Sequence, residues 1–132
     1  MNKLIIRHFT PSADSGVRCA PCEETSRYLH SMMESLAPKL AGLDIQLALQ
    51  SLEVHTVTEA NCGKLNYVSF LGPELGIEAE RSIEEILDAS ISFERCEGCS
   101  LPDGTPFPVR TLNTGGSSFQ ALPPGVLSDA LI

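Results

Sequence analysis

Branched apolar residues open the chain, and residues 3–9 are predicted to form a first strand. Residues 10–16 are turn formers (Thr-Pro-Ser-Ala-Asp-Ser-Gly) and predict a loop. A helix is expected to begin at Cys19-Ala20-Pro21-Cys22. Pro21 suits a first turn, where its missing N–H is no loss, and Glu23 and Glu24 complement the positive end of the helix dipole. Leu29, Met32, Met33, Leu36 and Leu40 recur at helical spacing as one apolar stripe, and Pro38 and Gly42 are expected to end the helix. On that stripe Cys22 falls near the buried face, whereas Cys19 at the helix start is expected to be the more exposed sulfur.

Over residues 44–54 apolar and polar positions alternate through Ile45, Leu47 and Leu49. Leu52 and Val54 then shift phase, as at a bulge or a strand end. A strand–helix–strand unit of this size implies a right-handed parallel crossover. Residues 57–61 predict one short helical turn, followed by Gly63. Residues 66–71 read as a third strand, 72–76 as a turn, and 77–81 as a fourth strand pairing back. Ser82 with Glu85 three positions on forms a capping box for a helix carrying Ile83, Ile86 and Leu87. The first ninety residues therefore read β-α-β-(short α)-β-β-α.

The rest of the chain is an appendage over residues 91–132. Cys96-Glu97-Gly98-Cys99 is followed by the turn signal Pro102-Asp103-Gly104. Residues 109–112 and 119–122 flank Asn113-Thr114-Gly115-Gly116 and predict a hairpin. Pro123-Pro124-Gly125 leads into a last short helix with Val126, Leu127, Ala130 and Leu131. A single domain over residues 1–132 is expected, its core over about residues 2–90.

Composition narrows the class. A chain of 132 residues, 42% hydrophobic and 20% charged, is long and apolar enough to bury a core unaided. It has no Trp, so that core must be mainly aliphatic. A net charge of −8 without any Lys/Arg cluster argues against nucleic acid as a partner. The apolar start is too short for a signal peptide and is interrupted by His8. No later run approaches the roughly 18 apolar residues of a membrane helix. A cytoplasmic protein, off the membrane, is the expectation.

The element order, with Cys-x-Pro-Cys between first strand and first helix, resembles the thioredoxin fold over roughly residues 2–90. That resemblance implies a three-layer α/β sandwich with a cysteine-bearing hairpin and short helix appended. More narrowly, the whole chain resembles a family of small prokaryotic thioredoxin-like proteins known as a domain of unknown function. The features that match are the early cysteine pair, Tyr67-Val68-Ser69-Phe70-Leu71 ahead of Arg81-Ser82-Ile83-Glu84-Glu85-Ile86-Leu87, the second pair, and Phe119-Gln120-Ala121-Leu122-Pro123. Thioredoxins also carry a cis-proline just before the third strand; here Cys62-Gly63-Lys64-Leu65-Asn66 stands in that place, without a proline.

Five cysteines carry the candidate chemistry. In a reducing compartment Cys-x-x-Cys pairs point to redox exchange or metal more than to structural disulfides. A thiol at a helix N-terminus is shifted toward the nucleophilic thiolate. One reading makes Cys19 the nucleophile and Cys22 the resolving thiol, cycling with a protein or small-molecule disulfide or thiol partner through a mixed disulfide. A second joins Cys19, Cys22, Cys96 and Cys99 as a four-thiolate site for zinc or an iron–sulfur cluster, Gly98 easing a tight turn around sulfur. The stretch between Cys22 and Cys96 far exceeds the roughly 15–20 residues of common zinc modules, so only the fold could bring the pairs together. A third is a relay in which Cys96 and Cys99 pass oxidising equivalents to Cys19 and Cys22. The bland alternative is that buried cysteines act as small hydrophobes.

Other residues are expected to be ordinary. Cys62 reads as a loop thiol left over from the two pairs. His8 reads as a hydrogen-bonded residue near the motif loop, within reach of a metal or thiol; His30 and His55 read as surface. Glu84, Glu85 and Asp88 read as a solvated helix face.

Overall fold

The computed structural model describes residues 2–58, 60–123 and 125–127. Strand β1 (Asn2–Pro11) runs parallel to β3 (Ile45–Val54), from Asn2 opposite Ile45 to Pro11 opposite Val54. Between them come a two-residue strand β2 (Arg18–Cys19) and helix α1 (Ala20–Ala41). The other edge of β1 carries β4 (Val68–Gly72), antiparallel, and beyond it β5 (Ile77–Ser82), also antiparallel. The result is a mixed four-stranded sheet in the order β3-β1-β4-β5. Helix α2 (Ile83–Leu87) follows β5 directly, with the Ser82 hydroxyl accepting the Glu85 N–H at 3.3 Å as the capping box requires.

One face of this sheet is apolar because alternate strand positions point the same way. Leu4 and Ile6 of β1, Leu47 of β3 and Val68 and Phe70 of β4 lie in one cluster with Leu29 and Met32 of α1. Met33, Leu36 and Leu40 pack at its margin, completing the stripe read from the sequence. On the other face Arg7 reaches Gln50 and Glu80.

Several expectations change. Pro38 sits inside α1, and the helix ends only at Ala41, with the Gly42 N–H reaching the Pro38 carbonyl at 3.3 Å. A proline that late removes one donor and leaves the last turn its remaining bonds. The phase shift at Leu52 and Val54 marks the strand end, at Val54, and no bulge. Pairing with β1 continues unbroken to Val54, whose side chain packs on the cysteine cluster instead of the α1 core. The short turn expected over residues 57–61 forms as a 3-10 turn at Cys62–Lys64.

The appendage holds more sheet than predicted. Residues Ser90–Glu94 form strand β6, which pairs antiparallel with β8 (Val109–Thr114), and β8 pairs in turn with β9 (Ser117–Phe119). The β8–β9 turn is shorter than expected, a two-residue loop at Gly115 and Gly116, both with positive φ. The second cysteine pair lies between β6 and β8, off the hairpin itself, where Cys99–Ser100 forms strand β7. Leu112 and Leu122 extend the main core, as does Leu127 in the helical residues 125–127; Ala130 and Leu131 lie outside the described residues. Among the described residues no helix is long and apolar enough to cross a membrane.

Candidate functional site

The two cysteine pairs, far apart in sequence, are adjacent in space. Strands β2 and β7 pair antiparallel with Arg18 opposite Ser100 and Cys19 opposite Cys99. The Ala20 N–H donates to the Gly98 carbonyl at 3.0 Å. Hydrogen bonding at the 20/98 pair makes 19/99 the non-hydrogen-bonded pair, the position where side chains on neighbouring strands approach most closely.

Each pair is built by its own turn. Cys19 caps α1, its sulfur accepting the Cys22 N–H at 3.3 Å. Cys96 and Cys99 are held by a turn in which the Cys99 N–H donates to the Cys96 carbonyl at 3.4 Å. The structure joins Cys19 to Cys22 and Cys96 to Cys99, with Cα atoms 5.3 Å apart in both. Among the described residues no group of three or more His, Cys, Asp or Glu side chains is placed so that it could hold a metal ion.

Gly98 permits this docking. Its φ is not left-handed, so backbone freedom is not the reason for glycine here. A Cβ built on Gly98 would lie 2.6 Å from the Cβ of Ala20, a separation that real side chains do not adopt. Sequence reasoning valued Gly98 for a turn around sulfur; its role is space between the two motifs.

The cysteines sit in their own apolar cluster with Val57, Leu65, Phe107 and Val109. Cys62, in the turn between β3 and β4, belongs to it as well and is buried. Cys19 is also no exposed sulfur. It is 2% accessible, against 1% for Cys22 and Cys99 and 5% for Cys96. The expectation failed because the 96–99 turn covers the helix start, a contact that local sequence does not announce.

Openings reach the cluster at two sulfur-bearing residues. Cys96 lines a cavity of about 630 Å³ with Arg95, Glu97, Pro106, Phe107 and Pro108. A second cavity of about 400 Å³ runs past Cys96 along Pro21, Glu24 and Gln120. Cys22 lines a separate cavity of about 390 Å³ with Pro11, Ser12, Val17 and Glu23.

A polar chain, missed from sequence, starts in the core and leads out to the same place. His8, in the middle of β1 and wholly buried, bonds through Nε2 to the Asn66 Oδ1 at 2.8 Å. Asn66 Nδ2 donates to the Gln120 carbonyl at 2.6 Å, and Gln120 Nε2 donates to the Arg95 carbonyl at 2.7 Å, next to Cys96. Since Asn66 uses its NH₂ on Gln120, its oxygen faces His8, and Nε2 carries the imidazole proton.

Burial holds the His8 pKa below the ordinary histidine value; the charge of His30 acts the same way, and the Asn66 bond opposes both. The unfolded chain therefore takes up this proton at about pH 6.5, before the folded protein does. Stability should fall as pH drops below that point. The His8→Gln variant is expected to flatten the slope between about pH 7 and pH 5 in denaturant melts.

The remaining candidates lie elsewhere. His30 and His55 are exposed, His30 bonded to the Ser26 carbonyl and His55 4.0 Å from Asp14. Glu84 is not part of a solvated face. It is half-buried in an ion pair with the Arg110 side chain of β8; Arg110 also lies 4.9 Å from the Tyr67 ring centroid.

Residues 4–131 match the family described as Domain of unknown function (DUF2703). No curated protein and no solved structure matches the chain.

Proposed function

The chain belongs to the DUF2703 family, and from that premise we propose that it is a thioredoxin-like thiol–disulfide oxidoreductase with Cys19 and Cys22 as carriers. The observation that carries this reading is the meeting of two Cys-x-x-Cys pairs, each at disulfide distance, with Cys19 directly opposite Cys99. Support for the thioredoxin-like part is the order β3-β1-β4-β5, with β1 and β3 parallel and a Cys-x-Pro-Cys opening the helix between them.

In this reading the Cys19–Cys22 disulfide takes two electrons and two protons from a thiol donor and becomes a dithiol. The dithiol then reduces a partner disulfide by attack, mixed disulfide and resolution, and the protein disulfide re-forms. Reduced Cys19 would lie at a helix N-terminus with the Cys22 N–H on its sulfur, and both favour the thiolate. The setting it expects is a reducing compartment such as the cytoplasm.

The test equilibrates the protein in dithiothreitol buffers of stepped potential, then acid-quenches, alkylates and weighs it. Two reversible two-electron steps are expected. Pairs that never cycle overturn the reading.

A second reading is favoured by the same adjacency: Cys19, Cys22, Cys96 and Cys99 share one buried cluster and, once reduced, would offer four thiolates, the donor set of zinc or an iron–sulfur cluster. Metal analysis of protein purified without oxygen or chelator separates the two. About one zinc, or about two to four irons, per chain supports the metal site.

A further inference from the structure

We propose that the two pairs form an internal relay, in which a small-molecule thiol reacts at Cys96 and Cys99 passes the electrons to Cys19 through a transient Cys19–Cys99 disulfide. The proposal rests on the redox reading above and names its donor, its route and its direction.

Access comes first. Cys19 is covered by the 96–99 turn and is not among the residues lining the cavities at Cys96 and Cys22, so a donor cannot readily attack it from outside. Cys96 is the most accessible of the four and lines an opening of about 630 Å³, a size that suits a small molecule. Arg95 and Glu97 at its wall give charged partners to a polar donor.

The internal step has the right geometry. Non-hydrogen-bonded partners on antiparallel strands have Cα atoms about 4.5 Å apart, and disulfides span about 4.4–6.8 Å. Cys19 and Cys99 are such partners, and their side chains leave the ribbon on the same face. They can bond without moving either strand.

The sequence of exchanges balances. A donor thiolate attacks the Cys96 sulfur, and Cys99 leaves as thiolate. A second donor thiol attacks the donor sulfur of that mixed disulfide, releasing the oxidised donor and Cys96 thiolate. Cys99 thiolate attacks the Cys19 sulfur, and Cys22 leaves and takes a proton. Cys96 thiolate then attacks Cys99, re-forming the outer disulfide and freeing Cys19, which takes up the second proton or stays as thiolate. In sum, two donor thiols become one disulfide and the inner disulfide becomes a dithiol.

Direction follows from the helix. Released Cys19 thiolate gains the dipole of α1 and the Cys22 N–H, whereas Cys96 and Cys99 lie on a turn and a short strand with no helix behind them. Stabilising the reduced form makes a pair more oxidising, so electrons run from the outer pair inward. Cys22, on its own cavity, then attacks the partner disulfide and the Cys19 thiolate resolves the mixed disulfide, the reverse of the roles expected from the sequence.

The test starts from full-length protein oxidised at both pairs and follows inner-pair reduction by dithiothreitol, with acid quench, alkylation and peptide mapping. In the Cys96→Ser, Cys99→Ser variant the rate is expected to fall at least tenfold. An unchanged rate means that the donor enters at Cys22, which overturns the relay and leaves the redox reading standing. An inner pair that dithiothreitol reduces in neither protein overturns both. Because the double variant could fail for want of folding, a trap is run beside it. The Cys22→Ser, Cys96→Ser variant, treated with diamide, is expected to yield a peptide linking Cys19 and Cys99. A variant with native circular dichroism and no such peptide overturns the relay.

Discussion

Replacing Gly98 with valine is expected to cut the yield of the Cys19–Cys99 bond at least tenfold in the Cys22→Ser, Cys96→Ser background. The substitution adds bulk where even one Cβ would stand 2.6 Å from the Ala20 Cβ. The alanine cannot yield, because its own N–H is tied to the Gly98 carbonyl in the ribbon that sets Cys19 against Cys99. The two motifs must therefore separate. Overpacking of this kind costs about 1–3 kcal/mol in a well-packed site, too little to unfold a typical domain and enough to undock a two-residue strand. Peptide mapping after diamide treatment reads the yield, and Glu94→Ala, at an exposed position of β6, serves as the control that should leave it unchanged. If Gly98→Val links Cys19 to Cys99 as efficiently as its parent, steric docking at Gly98 does not govern the pairing.

That contact also shows where sequence reading stops. The sheet built from β1, β3, β4 and β5 was legible because hydrophobic periodicity is a local signal, and the capping box at Ser82 and Glu85 is a local chemical one. The cysteines were legible as two candidate pairs for the same reason. Their meeting was not, because it depends on a β2–β7 ribbon of two residues a side, too short to leave a periodic trace. Strand β6 was missed since its pattern, Ser-Ile-Ser-Phe-Glu, gains meaning only beside β8. Pro38, and the bulge offered for the Leu52/Val54 phase shift beside the strand end that β3 does have at Val54, were misread in the opposite direction. There a local rule was applied where tertiary packing, on the last turn of α1 and on the cysteine cluster, decided the outcome.

Asn66 is the residue whose loss should cost the fold most for its size. The Asn66→Ala variant is expected to lose about 3 kcal/mol of stability in denaturant melts, from three sources. The His8 Nε2–H is left without its acceptor, and the Gln120 carbonyl without its Nδ2 donor. Each such loss in the interior costs about 1–3 kcal/mol, partly recovered by relaxation. The backbone adds its share, because residue 66 has φ +64. Asparagine visits that left-handed region far more readily than alanine, for which it costs about 1–2 kcal/mol. Asn66→Gly separates the terms: it loses the same side-chain bonds without the backbone strain, and should stand about 1 kcal/mol above Asn66→Ala. Equal stability of the two variants would refute the strain component. A loss below about 1 kcal/mol in both would mean that the His8–Asn66–Gln120 chain does not brace the fold. The chain ends on the Arg95 carbonyl, one residue from Cys96. The same variants should therefore speed alkylation of reduced Cys96, since the turn that carries it would lose its tie to β1.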